Sequence, residues 1–189
     1  ASLGALTSAQ VGGLTTDQVA NLTTTALSYL STRGVSGFST SQIAALSTTQ
    51  VSNLGSTNVK VLSAVQLGAM ETADLAVLGS KSLLTSTQVR GLTTAQLVTL
   101  TTDALASLNT SAVAGLTTSQ IVALTTTQAA DLTTTAVKAL TTAQIAAMET
   151  VDVASLNTTN IAAFSSVQVR ALTTRQIIGL TTAQISALN

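Results

Sequence analysis

Cysteine, histidine, tryptophan and proline are all absent from the 189 residues. Their absence removes disulfides, thiolate or imidazole metal sites, and the usual general base of enzymes. It also leaves the redox compartment open. Charged residues make up 7% and aromatic residues 2% of the chain, against the roughly 25% charged of an ordinary globular domain. Seven basic and seven acidic residues cancel, so net charge offers no footprint for nucleic acid or for an anionic membrane surface. Apolar residues reach 46%, but Thr, Ser or Gln interrupts them every few positions. No run approaches the roughly 18 apolar residues of a membrane span, and no membrane insertion is expected. The opening ASLGALTSAQ has neither the charged n-region nor the longer apolar h-region of a signal peptide. Any export signal is therefore expected to lie outside this chain or to be absent.

The composition is spent on a repeat of eight. Aligned on the last residue, the units run TSAQVGGL, TTDQVANL, TTTALSYL, STRGVSGF, STSQIAAL and onward to TTRQIIGL and TTAQISAL. Position 8 is Leu except at Phe38, Met70, Met148 and Phe164, and position 5 is Val, Ile or Leu in 21 of 22 full octads, Ala129 being the exception. These two positions are expected to carry the core. One unit, Gly79 to Leu84, has only six residues and reads as an octad lacking positions 6 and 7. The whole of 1–189 is thus expected to be a single repeat solenoid with one register break at 79–84.

A continuous α-helix turns about 100° per residue, so an eight-residue pattern would drift about 80° per repeat and could not keep one face. Strands need period-two alternation, whereas Gln-Ile-Ala-Ala-Leu favours helix by residue type. One short helix per octad satisfies both constraints. Position 1 is Thr, Ser or Asn in 19 of 22 full octads and position 4 is Gln in 13, which repeats the capping box S/T-x-x-E/Q along the chain. Leu at position 8 and Val or Ile at position 5 of the next unit form the matching hydrophobic staple. Position 7 is mostly Ala, Gly, Ser or Asn, small enough for close packing, with Tyr29 and Val61 among the exceptions. Most of the glycines fall at positions 6 and 7, as at Gly12, Gly13, Gly37 and Gly115, and read as packing or C-cap residues. A single unit cannot bury enough to fold alone, so stability must come from stacking on neighbours.

The fold class expected is all-α, an elongated solenoid of very short helices. Counted from Thr7 with the short unit included, the basic residues at position 6, Lys60, Arg90, Lys138 and Arg170, fall in odd units. The variants at position 8, Phe38, Met70, Met148 and Phe164, fall in even ones. That parity points to two octads, 16 residues, per turn and to a rod on the order of 100 Å at helix-packing distances of 8–10 Å per turn. Three octads per turn is the second choice.

No catalytic or cofactor-binding constellation emerges, and no cofactor is expected. There is no His and no G-x-S-x-G elbow, and Lys60, Lys81 and Lys138 are isolated. Two units stand apart, Glu71 with Asp74 in METADLAVL and Glu149 with Asp152 in METVDVASL. Carboxylates three apart share a helix face, which suits a sparse cation site. Acidic residues also suit a helix N-terminus through its dipole, and this second reading is preferred, with no metal ligand assigned. Position 2 is Thr in 17 of 22 octads, giving a hydroxyl ladder at Thr94, Thr102, Thr110, Thr118, Thr126, Thr134 and Thr142. Such a ladder either meets ice or a repetitive polysaccharide or simply keeps a sparsely charged surface soluble.

Units such as LTTAQIAAM, LTTAQISAL and LTTSQIVAL resemble the LTTAQ-type octapeptide arrays of very large secreted or surface proteins of Gram-negative bacteria, adhesin-like or hemolysin-like. The resemblance covers nearly the whole chain. It implies an extracellular or cell-surface repeat region that spaces or presents other domains, a structural protein and not an enzyme, with surface polysaccharide or another protein as partner. The glycine-aspartate nonapeptide that binds calcium in such toxins is absent, so calcium dependence does not carry over. Terminal units look like internal ones, which suits an excerpt of a longer array or end-to-end self-association through uncapped faces.

Overall fold

A computed structural model of the chain describes residues 3–79 and 84–188. After a short 3-10 turn at Leu3–Ala5, every full octad holds one helix of four to eight residues, and no described residue is in a strand. The residue chemistry explains the shortness. At Thr117 the backbone is extended, its hydroxyl accepts the Gln120 N–H at 3.2 Å, and Gln120 Oε1 accepts the Thr117 N–H at 2.8 Å. This reciprocal box forms in every described octad with Gln at position 4. Position 5 then closes one α-turn, Ile121 N–H to Thr117 C=O, and position 8 ends the helix with a tighter bond, Leu124 N–H to Ile121 C=O. Position 8 and the next position 1 are extended, as at Leu116 with φ −57° and ψ 138°. The chain therefore turns each corner with no positive φ among the described residues. Gly13 and Gly91 close their helices in the right-handed conformation, so the left-handed C-cap role of glycine is not used.

The coil is wider than the parity of the units implies. Helices pack on the third helix unit after them: Ser86–Arg90 on Thr110–Gly115 and that on Thr134–Ala139, Thr102–Ala106 on Thr126–Ala130 and that on Thr150–Ser155. A side chain fixes the spacing. Gln120 Nε2 donates to the Leu92 carbonyl 28 residues earlier and to the Val89 carbonyl 31 residues earlier, each at 2.8 Å. Gln144 repeats this on Leu116 and Val113, and Gln176 on Met148 and Ile145. One turn is thus about 28 residues, three and a half octads, and two octads per turn is corrected. The parity has another source. Lys60 and Lys138, Arg90 and Arg170, and Met70 and Met148 are each ten units apart; an even interval preserves parity and is close to three turns of this coil. About six and a half turns at 8–10 Å each give a rod of about 60 Å, shorter than the sequence suggested.

The six-residue unit lies largely outside the described residues. Across it, Gln88 and Gln96 reach the position-8 carbonyls of Leu62 and Met70 over 26 residues, where Gln120 spans 28. The deficit equals the two residues that the unit lacks.

Positions 5 and 8 face the axis in one continuous core, with Ile43, Val51, Leu67, Ile121, Ile145 and Ile161 at 1% exposure or less. Position 7 lies against position 2 three octads earlier. A Cβ on Gly115 would stand 2.7 Å from Ser86 Cβ, and one on Gly179 2.6 Å from Thr150 Cγ2. This approach is the reason for small residues there. Tyr29 and Val61 escape it by standing outward, 55% and 36% exposed.

Ile121→Asp or Leu124→Asp places an unpaired charge in this core and is expected to cost about 3 kcal/mol or more, whereas exposed Thr118→Ala is expected to be nearly neutral. Equal shifts in melting temperature would overturn the inside and outside assignment. Likewise Gln144→Met, which removes the side-chain partner of the Thr141 cap N–H and of the Leu116 carbonyl, and one of the two donors to the Val113 carbonyl, is expected to cost about 2 kcal/mol or more by denaturant titration. Gln10→Met removes only an exposed cap and is expected to cost within about 1 kcal/mol.

Candidate interaction surface

The seven ladder threonines each occupy the first residue of a helix, from Thr94–Val98 to Thr142–Ala147. Thr94, Thr110, Thr118, Thr126 and Thr142 are exposed, and Thr102 and Thr134 are half-buried. With three and a half octads per turn, successive threonines step about 100° around the axis, so the seven wind through two turns and do not line one face. Stacking packs helices three octads apart, Thr94–Val98 on Thr118–Val122 and that on Thr142–Ala147, but there position 2 of the earlier helix meets position 7 of the later octad, as Ser86 meets Gly115, so the threonines do not stack on one another. Part of the hydroxyl set serves the next turn. Thr134 Oγ1 donates to Asn160 Oδ1 at 3.0 Å, and Thr126 is hydrogen-bonded to the Asp152 side chain.

Other chemistry is sparse. Among the described residues no group of three or more acidic side chains is placed to hold a metal ion, and no helix is long and apolar enough to cross a membrane. A shallow pocket opens in the first coil turn between Gly4–Thr7 and Ser31–Arg33. Lys60 and Lys138 are exposed, and Lys81 lies outside the described residues.

The octad geometry meets its counterpart in the comparison with known families. The family model of the ALTTAQ repeat matches residues 1–24, 26–56 and 145–182, a little under half of the chain. Over those residues the octads are similar to that repeat. No curated protein matches it.

Within the array, the side chain that sequence reasoning undervalued is the position-4 glutamine. It was legible as a capping residue, but the box uses only its backbone N–H and Oε1. The carboxamide nitrogen is left over, and a buried donor needs an acceptor; that surplus was the available signal.

The two acidic units of the array test this bridge by breaking it. Asp74 and Asp152 stand at position 4, 1% and 2% exposed, whereas Glu71 and Glu149 of the same units are exposed. An ionised carboxylate only accepts, so it cannot donate to carbonyls of the earlier turn as Gln does. Accordingly both carboxyl oxygens of Asp74 and one of Asp152 lack a partner. Burial raises the Asp152 carboxyl above its ordinary value of 3.8, opposed by the Thr126 hydrogen bond and reinforced by the negative charge of Glu149. Because the folded pKa is the higher one, this contribution to stability is present below the unfolded value and is lost as pH rises through the folded value. Asn160 shows the remedy at the same position: its Nδ2 donates to the Leu132 carbonyl, 28 residues earlier, at 2.7 Å.

Asp152→Asn is therefore expected to stabilise the array at neutral pH by about 1 kcal/mol and to remove the part of its pH dependence that lies above the ordinary carboxylate range. Thermal melts of both proteins from acid to neutral pH check this. A variant no more stable at pH 7 than the parent contradicts the missing-donor argument.

Proposed function

We propose that this array is a structural interaction module, a stiff spacer or extended surface within a larger secreted or surface protein of a Gram-negative bacterium. The observation that carries the reading is the turn-to-turn bridge, repeated from Gln42, which bonds to Leu14, to Gln184, which bonds to Leu156. A rod in which each turn is hydrogen-bonded to the turn before it, over one unbroken core, resists bending and adds length in small equal steps. Quasi-one-dimensional folds set distance in this way. The all-helical repeat fold suits a non-catalytic role, and the placement in a surface protein follows from the LTTAQ resemblance.

A spacer must be shortened without being destroyed. Deleting residues 93–148, seven whole octads and two turns, keeps the octad register and is expected to leave cooperative unfolding while shortening the maximum dimension by about 16–20 Å. X-ray scattering on the shortened chain checks it, and collapse or an unchanged length would sink the spacer reading. Surface placement is checked separately by labelling intact cells with an antibody to the chain. Labelling that requires permeabilisation would contradict it.

A further inference from the structure

The sparse charges, unremarkable along the sequence, separate once they are laid on the coil. With 28 residues per turn, and two places added after the six-residue unit, residues a whole turn apart lie on one line along the axis. Arg33, Lys60, Arg90, Lys138, Arg170 and Arg175 then fall within ten consecutive places of the turn, with Lys138 at one edge and Arg175 at the other. All six are exposed. The exposed acids, Asp17, Glu71, Asp103, Asp131 and Glu149, occupy eleven other places, from Glu149 to Asp103 and Asp131. The two sectors do not overlap, and their centres are nearly half a turn apart. Lengthening or shortening the turn slightly leaves them separate. A rod of zero net charge is thus basic along one side and acidic along the opposite side, with roughly one charge per turn on each.

We propose that the solenoid associates side by side with a second copy of this chain, the basic side of one against the acidic side of the next. Three features select that occupant. The two sides are opposite in sign, carry charge at the same spacing, and belong to molecules of identical pitch, so the rows match over several turns without adjustment. Both sides also expose apolar side chains that such contact would cover, Val122, Val151 and Ile178 on the acidic side and Tyr29, Val61 and Val167 on the basic side. Because the contact joins two different surfaces on opposite sides of the rod, it does not close on itself and builds open sheets or bundles. The inference rests on the coil geometry and not on the spacer reading.

Sedimentation velocity tests it on the intact chain. At about 10 mM salt, where the screening length is about 30 Å, concentration-dependent multimers are expected; at about 1 M, where it is about 3 Å, the dissociation constant is expected to rise at least tenfold. Reversing the whole basic side (Arg33→Glu, Lys60→Glu, Arg90→Glu, Lys138→Glu, Arg170→Glu, Arg175→Glu) makes a variant acidic on both sides, and reversing the exposed acids (Asp17→Lys, Glu71→Lys, Asp103→Lys, Asp131→Lys, Glu149→Lys) makes one basic on both. All of these positions are exposed, so helicity by circular dichroism is expected to be retained. Each variant alone is expected to stay monomeric at low salt, and an equimolar mixture to associate. A parent chain that is monomeric at low salt, including one that instead binds the polyanion heparin, overturns the proposal. So does association indifferent to salt, or a mixture that stays monomeric. The rod dimensions of the monomer at high salt are a separate measurement, so failure here leaves the spacer reading to its own test.

Discussion

The carboxamide of the position-4 glutamine is the group on which the coil depends. A helix this short leaves most of its backbone donors and acceptors without intrahelical partners, and in a buried interior each unpaired group is costly. One glutamine side chain answers at both ends. Its oxygen closes the start of its own helix, and its nitrogen donates to the carbonyls at positions 5 and 8 of a helix a full turn earlier, as Gln120 does to Val89 and Leu92. The side chain that caps the start of its own helix is thus also the side chain that ties turn to turn. Asn160 preserves the second half of this device with a shorter arm, and Asp74 and Asp152 lose it.

Other features follow from that reach. Because the bridge spans 28 residues and the repeat is eight, the coil closes at three and a half octads, a non-integer. Equivalent positions therefore spread around the rod instead of forming flat faces, which disperses the threonine ladder. The same closure sets position 7 of one turn on position 2 of an earlier one, where Gly115 meets Ser86. It also converts charges scattered over the sequence into two opposed sides.

Much of this was legible in the sequence. Position 1 hydroxyls with Gln at position 4 announce the caps, and the recurrent aliphatics at positions 5 and 8 announce the core. All of this chemistry is local, with partners three or four residues apart. The coil number was not legible, because the partner of each glutamine nitrogen lies a whole turn away along the chain and nothing within an octad records that distance. The even ten-unit spacing of Met70 and Met148 or Lys60 and Lys138 then imitated a two-unit period. The threonines that serve the next turn, Thr126 and Thr134, were indistinguishable by type from those that face solvent. The meaning of Asp152 needed the bridge to be known first, since only then is a missing donor a defect.

Small-angle X-ray scattering of the monomer at high salt bears most directly on the three-and-a-half-octad coil. A rod of about 60 Å has a radius of gyration of about 19 Å, against about 30 Å for the rod of about 100 Å that a two-octad coil would form and about 16 Å for a compact globule of this length. The first of these values, with a rod-like cross-section region in the curve, is the result expected of a coil closed turn on turn by glutamine bridges. A value at either of the other two would contradict it.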